Sequence, residues 1–250
     1  MSTRLPKSDK AFLEKIRSQS LKAIRDFRLI SPGDRITVGI SGGKDSMALL
    51  DILHNRRQLP GMDFELAAVH VDLEDIPYHA PEDVLKKFTQ ERNISYTRLT
   101  FSGPVLREGK QPCFYCAWNR RKMLFQWAHE NGFNKVALGH HADDLVETLM
   151  MNMIYHGETS AFAPKQEMFG GLLHIIRPLY YLTNKEIERY VKLIGYTPPP
   201  YDCPYAADNH RERFRDLLQQ IKRLHPKATA NILRALRNIN PRYLPPPETK

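Results

Sequence analysis

The chain has 250 residues, a formal net charge of +9 and 42% hydrophobic residues. Its length and hydrophobic content predict one large folded domain with a modest extension and exclude an extensively disordered chain. No apolar run approaches the ~20 residues of a membrane helix, and the first residues lack the apolar segment of a signal peptide, so we expect a cytoplasmic protein with no membrane contact. The positive charge favours a polyanionic partner, such as nucleic acid or a phosphate-bearing substrate.

The hydrophobic pattern predicts helices and strands that alternate along most of the chain. An amphipathic helix over 10–28 comes first. Strands follow at 35–40, 65–71, 96–101, 135–138 and 172–176, separated by helices at 45–53, 81–92, 118–131 and 142–155 and followed by one at 183–194. This alternation predicts an α/β fold with a five-stranded parallel sheet sandwiched by helices. Two more helices, at 211–224 and 228–239, predict a helical extension.

We therefore expect three parts: a basic amino-terminal helix over 1–30, an α/β domain over 31–200 and a helical extension over 201–250. Thr183 is the predicted cap of the helix at 183–194. Gly195 is its predicted end.

One short motif directly follows the first predicted strand, namely Ser41, Gly42, Gly43, Lys44, Asp45 and Ser46. Glycines let the backbone approach an anion closely, and the start of the next helix offers N–H groups and a positive dipole end. Lys44 adds a positive charge, and Asp45 beside phosphates requires a cation such as Mg²⁺. The motif predicts a phosphate site. It differs from the loop of P-loop NTPases, which requires a glycine where this chain has Val38. It also differs from the loop of dinucleotide-binding domains, which requires a glycine where this chain has Ser41.

The chain has three cysteines, Cys113, Cys116 and Cys203. An odd number argues against a disulfide framework. The Cys-x-x-Cys spacing suits one metal ion or cluster, but it equally suits a redox-active dithiol. Ordinary buried thiols are the third interpretation.

A second acidic segment lies at the junction of the fourth strand and the next helix. Gly139 and His140 would border a nucleotide there, and Asp143 or Asp144 would orient Mg²⁺ or accept a proton. The alternative is that both aspartates only complement the helix dipole.

Two other elements supply candidates. His70 and Val71, at the end of the second predicted strand, lie where an adenosine would pass, although a buried core histidine is nearly as good an interpretation. Arg120 follows the Cys-x-x-Cys motif, with Arg121 and Lys122 beside it. These cations would contact the target nucleotide or its phosphates, or they would form only a solvated basic face.

The Ser41–Ser46 motif resembles the PP-loop of the ATP pyrophosphatase superfamily. Together with a central Cys-x-x-Cys and a distant third cysteine, it is similar to the tRNA 2-thiocytidine synthetase (TtcA) family. This resemblance implies that ATP is split into AMP and pyrophosphate across the carboxyl ends of the strands. It also implies that Cys113, Cys116 and Cys203 hold a [4Fe-4S] cluster with one iron free for sulfide, and that the C2 carbonyl oxygen of a base is adenylated and then replaced by sulfur.

The resemblance also assigns roles to residues of this chain. Catalytic roles fall to Lys44, Asp45, Asp143, Asp144 and Arg120. The ATP contacts would be the six residues of the motif with His70, Val71, Gly139 and His140, and Asp45 would hold Mg²⁺. The expected partners are tRNA, bound by the basic terminal helices, and a sulfur donor, either sulfide or sulfur from a cysteine desulfurase; the assembly considered is a homodimer.

Other functions remain open at this point. The Cys-Pro-Tyr sequence at Cys203 resembles the 2-thiouridine branch of the thiolation enzymes. That branch usually adds zinc-binding cysteine modules. The three cysteines of this chain are too few to form them as well, so 2-thiocytidine is favoured. Lysidine synthesis, a sulfur transferase or reductase for a small nucleotide, and a nucleotide- or RNA-binding protein without turnover are the remaining alternatives.

Overall fold

The computed structural model describes residues 5–74, 80–102, 112–200 and 210–245. Its contacts divide the chain into two units. The first consists of residues 1–141 and 163–209, and the second of residues 142–162 and 210–250. The helix that follows the fourth strand therefore groups with the helices of the carboxyl-terminal region.

The first unit contains the sheet. Its strands, within the described residues, are β1 (Arg35–Gly39), β2 (Glu65–Leu73), β3 (Ser95–Phe101), β4 (Lys135–Ala137), β5 (Lys165–Met168) and β6 (Leu173–Ile176). Its helices are α1 (Lys7–Asp26), α2 (Lys44–Arg57), α3 (Glu82–Gln90), α4 (Pro112–Glu130) and α6 (Asn184–Leu193). The second unit contains α5 (Ala142–His156), α7 (His210–Leu224) and α8 (Ala228–Ala235).

The strand order is β3-β2-β1-β4-β6-β5. Five strands are parallel, which confirms the predicted α/β fold, and β5 adds an antiparallel edge strand beside β6. The prediction missed β5 because its sequence, Lys-Gln-Glu-Met, is short and polar and lies at an edge with no fully buried residue. Such a strand carries no alternation of buried and exposed residues for the sequence to display.

Helices of the first unit cover both faces of the sheet. The apolar side of α1 packs with α2 and α6 in a core cluster on one face, where Ile16, Ile24 and Leu50 are fully or almost fully buried. On the other face, Leu124 and Ala128 of α4 join a second cluster with strand residues. The sheet is therefore buried on both sides, as a parallel sheet requires.

One buried carboxylate holds α2 in place. Asp51 accepts hydrogen bonds from Tyr190 Oη at 2.7 Å and from Arg92 Nε at 2.8 Å. Because these partners come from α6 and from the segment after α3, the network ties both to α2. The start of α2 is thereby positioned relative to the sheet.

Two helix ends bear on the sequence predictions. Thr183 caps α6 through a capping box with Glu186, and Gly195 follows at φ +76°, as predicted. By contrast, α4 begins at Pro112 and not near Trp118, so the Cys-x-x-Cys motif lies in the first turn of the helix and not before it. Proline is favoured at the first helical position because its missing N–H has no intrahelical partner there.

In the second unit, α5 contacts both α7 and α8. Arg215 Nε lies 3.8 Å from Glu147 Oε1, and the rings of Tyr155 and Phe214 meet edge to face at 5.6 Å. The last helix ends at Ala235, four residues before its predicted end.

None of the helices among the described residues combines the length and the apolar character needed to cross a membrane.

Candidate functional site

The strand order reverses between β1 and β4, and both strands end at the same edge of the sheet. From β1 the chain proceeds to β2 and β3 on one side, while β4 and β6 lie on the other. In open α/β sheets this reversal opens a crevice at the carboxyl ends of the strands, where ligands bind. The loop Ser41–Ser46 leaves β1 at this crevice, and the segment 138–141 leaves β4.

The loop after β1 has the geometry of an anion site. Gly42 has a φ of +79°, a conformation that other residues adopt only with strain. Gly43 is the N-cap residue of α2, and it has no side chain that could cap the first turn. Ser46 Oγ accepts from the Ser41 amide at 3.2 Å and donates to the Gly43 carbonyl at 3.0 Å, which closes the loop on itself. The uncapped amides at the start of α2 are the donors that a phosphate would use.

Two contacts from distant parts of the chain hold this loop. Tyr196, just after α6, donates a hydrogen bond of 2.6 Å from Oη to the carbonyl of Gly42. Gly139 lies so close to α2 that a Cβ atom there would be 3.0 Å from the carbonyl carbon of Asp45. Because that neighbour is backbone, a side chain at position 139 would displace the loop. Gly139 thus borders the loop, and its immediate role is this close approach.

The charges at the loop are paired. Lys44 Nζ lies 2.9 Å from both carboxylate oxygens of Asp45, and Nε2 of the buried His141 lies 3.6 Å from Asp45 Oδ1. Phosphates would compete with Asp45 for Lys44 and leave the carboxylate to a cation. No group of three or more metal-binding side chains occurs among the described residues. Mg²⁺ at Asp45 would therefore take its other ligands from phosphate oxygens and water, as this ion usually does.

His70 is a buried residue of β2, which continues to Leu73, so the prediction that His70 ends the strand is wrong. Its Nδ1 lies 2.8 Å from the carbonyl oxygen of Ile40, the residue just before the loop. Burial lowers the pKa of His70, and the positive charge of Arg120 lowers it further. The ring is therefore neutral and donates its Nδ1 proton to Ile40. Val71 is buried in the same strand.

The lowered pKa of His70 predicts a pH dependence of stability. The unfolded chain binds the proton with a pKa near 6.5, whereas the folded protein binds it only at lower pH. The contribution of His70 is thus complete above about pH 6.5 and decreases as the pH falls below it, by at most ~1.4 kcal/mol per pH unit. His70→Asn, which keeps a donor for Ile40 but does not titrate, should show a shallower loss in urea unfolding between pH 7 and pH 5.

His54→Asn should also make the loss shallower, because burial lowers the pKa of this half-buried histidine as well, at the other end of α2. Equal pH slopes in the wild type and the His70→Asn protein would contradict the buried, neutral state of His70.

A buried arginine at the end of β6 is a residue that the sequence analysis missed. Arg177 Nε lies 3.3 Å from His140 Nδ1, and the Arg177 amide donates to the Pro164 carbonyl. Burial, aided by the charge of Arg121, lowers the pKa of Arg177 to about 10. Its position directly after an apolar strand was the available signal, since such a position places a cation at the carboxyl edge of the sheet.

Two donors on α4 have no partner among the described residues. They are Nδ2 of Asn119, a residue only 3% exposed, and Nε of Arg120, which is shielded from solvent. Buried donors without acceptors are costly, so a polar ligand that reaches them gains affinity. Arg120 lies close enough to His70 to affect its pKa. The predicted catalytic arginine is therefore near His70 of β2.

Cys113 and Cys116 are half-buried in the first turn of α4. A separation of three residues puts both thiols on one face of the helix. These features fit two ligands of a metal cluster. Cys203 lies outside the described residues.

The two predicted aspartates lie in the first turn of α5, in the second unit. Asp143 is buried; its Oδ1 accepts a hydrogen bond from Thr229 Oγ1 at 3.1 Å and lies 2.8 Å from Lys222 Nζ. Asp144 is half-buried. Asp143 therefore joins α5 to α7 and α8, while the catalytic roles of both residues stay predictions.

Comparisons with known proteins agree with this geometry. A PP-loop domain model matches residues 13–198. The chain is 38% identical to the tRNA-cytidine(32) 2-sulfurtransferase of Alkalilimnicola ehrlichii, over 89% of this chain and 72% of that protein. It is 36% identical to the protein of the same name from Geobacter sulfurreducens, over 93% and 95% of the two chains. The U34-tRNA thiolase NcsA of Methanococcus maripaludis, solved with its [4Fe-4S] cluster, superposes with a TM-score of 0.79 at 26% identity, over 92% of this chain and 79% of NcsA.

Proposed function

We propose that this chain, which belongs to the PP-loop family and within it to the tRNA-cytidine(32) 2-sulfurtransferases, replaces the C2 oxygen of a tRNA cytidine with sulfur at the expense of ATP. The family predicted from the loop and the cysteines is confirmed. The observation that carries the proposal is the loop at the start of α2: its N-cap residue, Gly43, has no side chain that could occupy the amides, and Lys44 is the first residue of the helix. Both sulfurtransferase relatives are named for a tRNA cytidine, which favours cytidine over uridine as the target base.

The first step is the attack of the base's C2 oxygen on the α-phosphorus of ATP, with loss of pyrophosphate. Negative charge grows on the leaving pyrophosphate, and the amides of the loop with the ammonium of Lys44 would offset it. Asp45 would hold Mg²⁺ on the phosphate oxygens. His70 donates its Nδ1 proton to the Ile40 carbonyl and so orients the end of β1.

The second step is the replacement of the adenylated oxygen by sulfur, with AMP as the leaving group. A bound [4Fe-4S] cluster would supply an iron that binds the incoming sulfur. Cys113 and Cys116, with Cys203, would hold that cluster. Asn119 and Arg120 follow Cys116 on α4, and their buried donors would bond to polar atoms of the nucleotide. Holding the activated base and the sulfur in one place would convert a bimolecular encounter into an oriented step within one site.

The remaining assignments concern partners and surroundings. The basic helices α1 and α7 would bind phosphates of the tRNA, a contact that weakens as salt rises. Sulfur would come from sulfide or from a cysteine desulfurase, and the reaction would take place in the cytoplasm. A homodimer stays a prediction.

The test is a reaction with unmodified tRNA, ATP, Mg²⁺ and sulfide, prepared without oxygen. Mass spectrometry of the digested tRNA should show 2-thiocytidine, and AMP should form in equal amount. Omission of ATP is the control and should leave the tRNA unchanged. Detection of 2-thiouridine or lysidine in place of 2-thiocytidine would contradict the proposal, as would AMP formation without any modified nucleoside.

A further inference from the structure

A groove in the first unit lies between α4 and the hairpin of β5 and β6. It has a volume of about 710 Å³, which is within the range of pockets that enclose a small organic ligand. We propose that this groove binds an unpaired nucleotide of the tRNA next to the target base. The inference rests on the proposed function and adds a location for part of the substrate.

The walls of the groove are aromatic and apolar. Trp118 and Phe125 line it from α4, and Phe169 and Leu172 line it from the hairpin. Trp118 is 46% exposed, Phe169 62% and Leu172 64%. Contiguous exposed apolar side chains mark binding surfaces. Flat aromatic rings of this kind stack with nucleobases, whatever the base.

Positive charges lie beside the aromatic rings. Arg121 and Lys122 line the same groove, and Lys122 Nζ is 5.4 Å from the centre of the Trp118 ring. An apolar ring next to a cation matches a nucleotide, in which a flat base is joined to a phosphate. A second copy of this chain, with a net charge of +9, would bring charge of the same sign to these cations. Charge complementarity therefore selects nucleic acid over self-association.

The hairpin holds one aromatic side chain outward. Phe169 has a φ of +54°, and Gly170 and Gly171 after it also have positive φ values. For a bulky residue this conformation is strained. The result is a ring that is mostly exposed at the hairpin tip, where it meets the edge of Phe125 at 6.3 Å. Strain that exposes an apolar ring is expected where the ring contacts a ligand.

The groove begins close to the cysteines. Trp118 is two residues after Cys116 on α4, and its ring centre is 6.2 Å from that of Tyr115. The groove follows α4 from Trp118 to His129, a distance of about 16 Å at the rise of an α-helix. A nucleotide in the groove would thus lie along the same helix that carries Cys113 and Cys116. That position suits a neighbour of the target base, and not the target base itself.

The experiment uses the two tryptophans of the chain. In a Trp127→Phe protein, Trp118 is the only tryptophan, and its fluorescence reports on stacking in the groove. An RNA hairpin with the sequence of an anticodon stem-loop should quench this emission, whereas a fully paired RNA of the same length should not. In the otherwise wild-type protein, Phe169→Ala should weaken stem-loop binding about tenfold, since one base stack is lost. Phe169 is exposed, so this variant is expected to fold.

Leu59→Ser is the matched control. Leu59 is also a half-exposed apolar residue, but it follows the carboxyl end of α2 and does not line the groove. The RNA affinity of this variant should equal that of the wild type. Equal quenching by both RNAs, or an unchanged affinity in the Phe169→Ala protein, would overturn the inference while thiolation of tRNA by the wild type persists. A dimer that Phe169→Ala converts to a monomer, with RNA affinity unchanged, would assign the groove to self-association and also overturn it. Failure of the wild type to bind tRNA at all would overturn the proposed function and this inference together.

Discussion

Replacing Lys44 with alanine is expected to lower the rate of AMP formation about 10²- to 10³-fold, the usual loss when one preorganised donor to a developing negative charge is removed. Lys44 lies in the first turn of α2, where its ammonium is 2.9 Å from the Asp45 carboxylate. Binding of phosphates would give this cation a new partner at the leaving pyrophosphate. The measurement is the formation of AMP from labelled ATP in the presence of tRNA. Circular dichroism and thermal unfolding should remain as in the wild type.

Lys86→Ala is the matched control for this variant. Lys86 also forms an ion pair with a carboxylate, 2.9 Å from Glu82, but it lies on α3 and is half exposed. Its replacement should leave AMP formation unchanged, because Lys86 lies outside the loop. The fold should also be unaffected, because an exposed pair contributes little to stability. If the Lys44→Ala protein forms AMP at the rate of the control, the loop does not serve the adenylation step.

Replacing Cys116 with serine should abolish both bound iron and thiolated tRNA while ATP binding stays intact. A serine hydroxyl is a poor ligand for iron, and the two described cysteines share one face of the first turn of α4. The protein is prepared without oxygen, and iron and zinc are measured together with the absorption spectrum. 2-Thiocytidine is then quantified in the digested tRNA. The Lys44→Ala protein is the natural comparison, since it should keep its iron and lose AMP formation.

A second cysteine variant separates the cluster from a relay of persulfide or disulfide between Cys113 and Cys116. The cluster requires Cys203, whereas the relay does not. Cys203→Ser should therefore lose iron and 2-thiocytidine to the same extent as Cys116→Ser. A Cys203→Ser protein that thiolates tRNA at the wild-type rate would refute the three-cysteine cluster. Zinc in place of iron in the wild type would refute it as well.

The sequence alone determined the fold class and the place of the glycine loop between β1 and α2. Both follow from interactions between residues that are close in the chain. Strands and helices alternate with a readable period, and the glycine motif between β1 and α2 indicates a turn into a helix start from its own residues. Thr183 and Gly195 delimit α6 for the same reason, since a cap bonds within one turn of the helix. The family resemblance depended on equally local motifs.

Only the tertiary structure decided which side chains support the candidate site. Gly139 approaches the backbone of Asp45, and Arg177 meets His140, because β4 lies between β1 and β6 in the sheet. His70 bonds to Ile40 because β1 and β2 are neighbours in a particular register. The spacing of residues along the chain does not reveal the order of the strands in the sheet, since several strand orders bury the same apolar residues. The edge strand β5 was not predicted because it is exposed on its outer side and needs no pattern of buried residues. Its place in the sheet is set by pairing with β6.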